Sequence, residues 1–114
     1  MNQHQLVLMG RATRDAEVLE SKAGKEYSKF AIAVNEYRGK IKGGVTSFYE
    51  IVGFTAQTKN ACRNIHKGDM VFVTGRPEVQ AYKALDGELR AKLSVNAEYI
   101  CGYNKPKEEQ IEII

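Results

Sequence analysis

The order of the regular elements is the feature that most constrains how this chain folds. Residues 56–66 are the one segment with a helical pattern, with Thr55 as a suitable N-cap and Gly68 where a helix-ending glycine is common. The remaining regular segments have the alternating or β-branched composition of strands. We predict five strands, at about residues 4–20, 27–35, 46–54, 70–82 and 89–100. The helix therefore falls between the third and the fourth strand.

Two glycine-containing sites indicate how these strands bend and connect. Gly10 interrupts the first strand, and a glycine inside a strand pattern usually marks a bulge or a sharp bend. Residues 85–88, Leu-Asp-Gly-Glu, carry a hairpin signal between the fourth and fifth strands. Five strands with one helix after the third follow the plan of the OB-fold barrel. Other small barrels and an α+β sandwich remain open on the pattern alone.

We therefore predict an all-β fold, a five-stranded OB-fold barrel with one short helix between strands 3 and 4. The barrel domain is expected to span residues 1–103, and residues 104–114 are expected to form a short flexible C-terminal tail. OB-folds bind oligonucleotides or oligosaccharides on the outer face of their second and third strands.

Length and composition restrict the class of protein. The 114 residues suit one domain, and no apolar run approaches the roughly 18 residues of a membrane span. The amino-terminal segment lacks a basic leader with a long apolar stretch, so we expect no signal peptide and no membrane association. Cys62 and Cys101 fit neither a disulfide framework nor a metal-ligand spacing, so we expect two reduced thiols and no metal.

The charge and the polar residues favour a binding protein over an enzyme. Seventeen Lys and Arg against fourteen Asp and Glu give a net charge of +3, which is compatible with nucleic-acid binding but does not require it. We find no nucleophile–base spacing and no phosphate-binding loop, and His4 and His66 lack metal partners in the sequence. We expect no catalytic residue and no cofactor.

Five short motifs resemble those of the bacterial single-stranded DNA-binding protein family, and together they cover about residues 4–100. Each motif alone is weak, but five in the right order and spacing are a strong signal. They are residues 10–17 (GRATRDAE), 30–35 (FAIAVN), 46–54 (TSFYEIVGF), 67–76 (KGDMVFVTGR), and Tyr82 followed by Asp86-Gly87. The resemblance implies an OB-fold that stacks bases on aromatic side chains within a basic groove.

The resemblance assigns base stacking to four aromatic residues: Tyr37, Phe48, Phe54 and Tyr82. The family often carries tryptophan at three of these places, and this chain contains none. Phenylalanine and tyrosine still offer a ring face to a base, a contact that contributes about 1–3 kcal/mol. The alternative for Phe48 and Phe54 is core packing, because their even spacing places both on one strand face with Val52.

The expected phosphate contacts are basic residues of the loop after the second strand and of the family motifs: Arg11, Arg14, Arg38, Lys40, Lys42, Lys67, Arg76, Arg90 and Lys92. A solvated surface is the alternative for each of them. Two features depart from the family pattern and lower the expected affinity. Glu50 occupies a place that is often basic, and residues 78–82, Glu-Val-Gln-Ala-Tyr, replace a run that often contains arginine.

The resemblance also implies self-assembly, with a homotetramer as first choice and a dimer as second. Gln3, His4 and Gln5 extend the first strand with polar residues suited to backbone pairing between subunits, and Tyr49 maps to a position where the family packs subunits together. In the tail, Ile111, Ile113 and Ile114 follow acidic residues and resemble a reduced form of the tip that recruits replication or repair proteins. The terminal Pro-Phe of that tip is missing, and a frayed end is the alternative.

The leading hypothesis is sequence-tolerant binding of single-stranded DNA in replication, recombination or repair. The partners would be single-stranded DNA and further copies of the chain, in the bacterial cytoplasm and associated with the nucleoid. The alternative hypothesis is an OB-fold primosome-type accessory protein that acts mainly through protein contacts.

Overall fold

The computed structural model describes residues 5–36 and 44–103. These residues form six strands and one helix: β1 (Leu6–Ala12), β2 (Glu17–Glu20), β3 (Glu26–Glu36), β4 (Val45–Gly53), α1 (Ala56–Cys62), β5 (Met70–Lys83) and β6 (Leu89–Tyr103). Within these ranges, no helix has the length and apolar character needed to cross a membrane.

Five of the strands close into a ring. The order around the sheet is β1-β5-β6-β4-β3, and the pairing of Arg11 and Ala12 with Ala33 and Ile32 joins β3 back to β1. All pairs are antiparallel except β4 with β6, which is parallel. This ring with a helix between β4 and β5 confirms the predicted OB-fold.

The first predicted strand, about residues 4–20, is interrupted rather than continuous. Its two parts, β1 and β2, pair with successive stretches of the same edge of β3. Between them two hydrogen bonds go to the segment after α1: the Ala16 N–H donates to the Ile65 carbonyl over 3.1 Å, and the Asp15 side-chain carboxylate accepts from the Lys67 N–H over 2.8 Å. These contacts tie the interruption to the segment after α1.

The helix is shorter than predicted, because it ends at Cys62 instead of His66. Beyond Cys62 the backbone N–H groups bond three residues back, from Asn64 to Ala61 and from Ile65 to Cys62, which is the geometry of tight turns. The start is as predicted, with the Thr55 side chain accepting a hydrogen bond from the Thr58 N–H.

The core fills the inside of the ring. Its largest fully buried side chains come from every strand of the ring except β1: Phe30, Ile32, Ile51, Val71, Val73, Val95 and Ile100. The helix side contributes Cys62 and Ile65. The side-chain amide of Gln57 in α1 bonds both the carbonyl and the N–H of Ile100, over 2.8 and 3.1 Å, and so fixes the helix against β6. Burial raises the pKa of the Cys62 thiol, although a hydrogen bond with Ser28 opposes this.

Candidate nucleic-acid interface

Alternation along β4 separates its core residues from its outward residues. Ile51 is fully buried, whereas Phe48 is 65% exposed and Phe54, directly after the strand, is 40% exposed. Neither phenylalanine belongs to the core cluster. The core-packing alternative for these two residues is therefore wrong, and both rings are accessible on the outside of the ring of strands.

Strand register places the outward residues of four strands on one surface, because directly paired residues point to the same side of a sheet. Glu50 of β4 pairs with Ala31 of β3 and Ser94 of β6, and Ser94 pairs with Glu78 of β5. Tyr82, 48% exposed, pairs with Arg90 further along the same two strands. We call this surface the aromatic face: Lys29, Ala31, Phe48, Glu50, Val52, Phe54, Arg76, Glu78, Gln80, Tyr82, Arg90, Lys92, Ser94 and Asn96.

Two shallow grooves cross the aromatic face. One, of about 260 Å³, is lined by Phe48 and Tyr82 among others, so the structure brings these two predicted stacking residues to one depression. The other, of about 190 Å³, is lined by Phe54 together with polar side chains such as Asn96. Glu50 and Lys92 line both grooves and lie at the boundary between them.

Two residues at the start of β3 and directly before it, Tyr27 and Lys25, contact the Phe54 ring. The Tyr27 ring lies with its centroid 5.7 Å from that of Phe54, at an interplanar angle of 32°. The Lys25 ammonium lies 5.7 Å from the Phe54 centroid, within cation–π range. A positive charge and a second aromatic ring therefore already lie against this partly exposed ring.

Glu50 joins two lysines at the middle of the aromatic face. Lys29 Nζ lies 3.2 Å from one carboxylate oxygen of Glu50, and Lys92 Nζ contacts the other. Partial burial opposes the charged form of Glu50, but the hydrogen bonds and charges of Lys92 and Lys29 outweigh it, so the pKa of Glu50 lies below its ordinary value of 4.5. Lys29 was not among the predicted phosphate contacts. Its even spacing from Ala31 and Ala33, on the side of β3 opposite Phe30 and Ile32, could have indicated that it points outward.

Two other predicted cations of this face, Arg76 and Arg90, have more exposed partners than Lys92 has. Arg76 lies 3.9 Å from Glu98, and Arg90 lies 2.8 Å from Asp86 within the hairpin turn. Both pairs are about half exposed or more, and exposed pairs of this kind stabilise a fold by little. Both arginines are therefore available to a phosphate at small cost.

The remaining predicted cations that the structure describes, Arg11, Arg14 and Lys67, lie beside or beyond the aromatic face. Arg11 pairs with Met70 at the start of β5, about 40 Å along that strand from Tyr82. On its other side Arg11 pairs with Ala33, which pairs with Phe48, so it emerges two strands from Phe48. Its guanidinium donates to the Gly68 carbonyl over 3.0 Å, and it lines a separate depression with Lys67. Arg14 is exposed in the interruption between β1 and β2. Four predicted DNA-contact residues lie outside the described residues: Tyr37, Arg38, Lys40 and Lys42.

The predicted interface residues lie in different environments. Gln5 is exposed directly before β1, and Tyr49 is half-buried and packs against the core. Gln3 and His4, as well as Ile111, Ile113 and Ile114 of the tail, lie outside the described residues.

A second exposed surface, which we call the apolar face, was not predicted. It comprises outward residues of β1, β5 and β6, bordered by Arg11 beside Met70: Val7, Met9, Met70, Phe72, Thr74, Tyr99, Cys101 and Tyr103. Val7 and Met9 are each exposed by more than half. The signal in the sequence was the unbroken apolar run of residues 6–9, which is typical of a strand covered on both sides.

The fold and the aromatic face together define a class of protein: an OB-fold with exposed aromatic and basic side chains on its outer strands. In agreement, a model of the single-strand binding protein family matches residues 3–101. This chain belongs to the single-strand binding protein family.

Similar proteins come from several organisms. Single-stranded DNA-binding protein 1 of Staphylococcus aureus (strain MSSA476) is 30% identical over 83 residues, 72% of this chain and 53% of that protein. The single-stranded DNA-binding protein of Streptococcus pneumoniae serotype 4 is 30% identical over 84 residues, 73% of this chain and 54% of that protein. The chain thus spans about half the length of these curated relatives.

Two solved structures share the fold. The crystal structure of the small single-stranded DNA-binding protein from Streptomyces coelicolor superposes with a TM-score of 0.74 at 23% identity, covering 90% of this chain and 96% of that one. The Plasmodium falciparum SSB complex with ssDNA superposes with a TM-score of 0.71 at 18% identity, covering 91% of this chain and all of that one.

Proposed function

We propose that this protein is a non-enzymatic, sequence-tolerant binder of single-stranded DNA. The observation that supports this most is the exposure of Phe48, Phe54 and Tyr82 on one surface, with lysines and arginines between them. Exposed rings interleaved with cations are what a single strand requires, because bases stack on the rings while cations neutralise phosphates. The names of the relatives and membership of the family point to the same ligand.

The tolerance of sequence follows from the kind of contact. Every base has a ring face, so stacking on phenylalanine or tyrosine distinguishes bases poorly. Phe48 and Phe54 are six residues apart, about 20 Å along the strand direction, and Tyr82 extends the path onto the β5–β6 hairpin. Tyr37 and the loop cations Arg38, Lys40 and Lys42, which lie outside the described residues, are further contacts of this proposal.

The biological setting is part of the same proposal. We infer a role in replication, recombination or repair in the bacterial cytoplasm, associated with the nucleoid. Ile111, Ile113 and Ile114 are the candidate segment for recruiting replication or repair proteins. The primosome-type alternative is not favoured, since the relatives found are named for single-stranded DNA binding.

Self-assembly is the second part of the proposal, with a homotetramer as the preferred state. The apolar face supports it, because a contiguous apolar surface of a small protein usually marks an interaction site. Pairing of Gln3, His4 and Gln5 across two first strands would form the dimer, and packing of apolar faces would join two dimers. Tyr49, whose side chain is half-buried, remains a candidate contact between subunits.

The test of binding is fluorescence anisotropy with a labelled oligothymidine. Phe48→Ala should weaken binding by about 1–3 kcal/mol, because it removes one stacking ring. The matched control is Val79→Ala, which shortens an exposed apolar side chain on the side of the β5–β6 hairpin opposite the aromatic face and should leave affinity unchanged. Neither variant should shift the melting temperature appreciably. A folded Phe48→Ala variant with wild-type affinity would remove Phe48 from the binding site.

A further inference from the structure

The Glu50 cluster places a carboxylate where a bound strand needs positive charge. Glu50 points outward on β4, two residues after Phe48 and four before Phe54. Its lysine partners come from the two flanking strands, Lys29 from β3 and Lys92 from β6. A strand whose bases stack on both phenylalanines must carry its backbone past this cluster.

We propose that Glu50 is an internal competitor of the nucleic-acid phosphate, holding Lys29 and Lys92 until a bound strand displaces it. This inference rests on the proposed single-strand binding function and concerns how tightly, and how reversibly, the same face binds. The competition arises because a carboxylate and a phosphate oxygen accept hydrogen bonds from the same ammonium groups.

Burial and geometry distinguish this carboxylate from the other acids near the face. The Glu50 side chain is only 19% exposed, and its two oxygens are divided between the two lysines. By comparison, the partners of Arg76 and Arg90 are about half exposed and yield to solvent easily. The lowered pKa of Glu50 keeps it ionised at neutral pH, so the competitor is always charged when DNA binds.

The cluster of Glu50, Lys29 and Lys92 therefore presents about one net positive charge to a bound strand instead of two. A phosphate that enters must break one or both lysine pairs and then lies close to a negative charge. Since charges a few ångströms apart near a protein surface interact appreciably, the result is weaker and more readily reversed binding. Fewer phosphates are neutralised overall, so the dependence of affinity on salt is shallower than the number of cations suggests.

The decisive variant is Glu50→Gln, which preserves the shape and removes the charge. We expect oligothymidine affinity at about 50 mM salt to rise roughly fivefold or more. The slope of log affinity against log salt should steepen by up to about 0.7 for each additional phosphate neutralised. Glu78→Gln is the matched control, since it changes net charge equally on the same face, and Glu78 forms no ion pair with a described residue. It should give a smaller gain and an unchanged slope.

A second comparison tests the same competition through Lys92 itself. Lys92→Gln should weaken binding only slightly in the wild-type background, where Glu50 already engages that lysine. In the Glu50→Gln background the same change should weaken binding several-fold more. Equal effects of Lys92→Gln in both backgrounds would overturn the proposal.

The remaining outcomes separate this inference from the function on which it rests. If the wild type binds and Glu50→Gln binds no better than Glu78→Gln, the competitor is rejected while single-strand binding stands. If Glu50→Gln weakens binding, Glu50 positions the lysines for DNA and the competitor is rejected as well. If only Glu50→Gln binds, the competitor is supported and the proposed function of the natural chain fails. If neither binds at low salt, both proposals are rejected.

Discussion

The side on which each β4 residue emerges decides what this protein presents to solvent. Ile51 enters the core, and its neighbours Glu50 and Val52 emerge on the aromatic face. The even spacing of Phe48, Val52 and Phe54 predicted a shared side, but spacing alone cannot tell inside from outside. The answer depends on which side of β4 the ring closes around, and that is set by partners distant in sequence.

Ionisation of Glu50 should contribute to stability in a pH-dependent way. Because its pKa in the folded protein lies below the ordinary value of 4.5, its contribution is fully present above that value. The contribution is lost as the pH falls through the lowered folded-state pKa. Thermal unfolding should therefore show the wild type more stable than Glu50→Gln at neutral pH, with the difference shrinking in acid. A difference that stays constant down to the lowest accessible pH would show that the lysine pairs do not stabilise the charged carboxylate.

At the level of strands and helices, local patterns predicted most of what forms. The alternating composition predicted the strand that forms β3, and Thr55 and Gly87 marked a helix start and a hairpin turn correctly. The interruption between β1 and β2 was missed because its hydrogen bonds go to Ile65 and Lys67, about 50 residues away in the chain. The end of α1 was missed for a similar reason. The residues after Cys62 are compatible with a helix, but tight turns there bring Ile65 into the core.

Gly10 should be intolerant of even one added methyl group. Directly after Gly10, β1 begins to pair with β3 as well as with β5. A Cβ on Gly10 would lie 2.6 Å from the Ala33 carbonyl oxygen and clash with Ile32. Overpacking of this kind costs about 1–3 kcal/mol, so Gly10→Ala should lower the free energy of unfolding by about that amount.

Gly102→Ala is the comparison for Gly10, because its nearest neighbour would be the movable Ile65 side chain at 3.1 Å. Urea denaturation of both variants measures the difference, and we expect the Gly102 variant to lose less stability. Equal losses at the two positions would mean that the close approach of β1 to β3 is not the constraint at Gly10.

The whole molecule presents two surfaces of different character. The aromatic face carries the proposed stacking rings. The apolar face carries Val7 and Met9 together with residues at the start of β5 and the end of β6. The sequence predicted the first from motifs. Of the predicted cations, Arg76, Arg90 and Lys92 lie on the aromatic face, whereas Arg11 and Lys67 line a separate depression near the start of β5. The sequence did not predict the second, since an apolar run shows only that both sides of a strand are apolar, not that one remains uncovered.

Disruption of the apolar face should reduce the assembly. Light scattering should give about four times 12.8 kDa for the wild type. Met9→Arg places a charge at the proposed contact between dimers and should yield dimers. Val18→Arg, at an exposed apolar residue of β2 away from this face, should remain tetrameric. A wild-type monomer, or a tetramer that survives Met9→Arg, would contradict this assembly.

Tyrosine fluorescence titrations with an oligothymidine and with a duplex of equal length, at several salt concentrations, test single-strand binding by stacking most directly. The single strand should quench the fluorescence, because a base that stacks on Tyr82 alters the excited ring. Its log affinity should fall with log salt by about 0.7 for each neutralised phosphate. The duplex, whose bases already stack on each other, should bind more weakly and quench little. Equal affinity for the single strand and the duplex, without quenching, would contradict single-strand binding by base stacking.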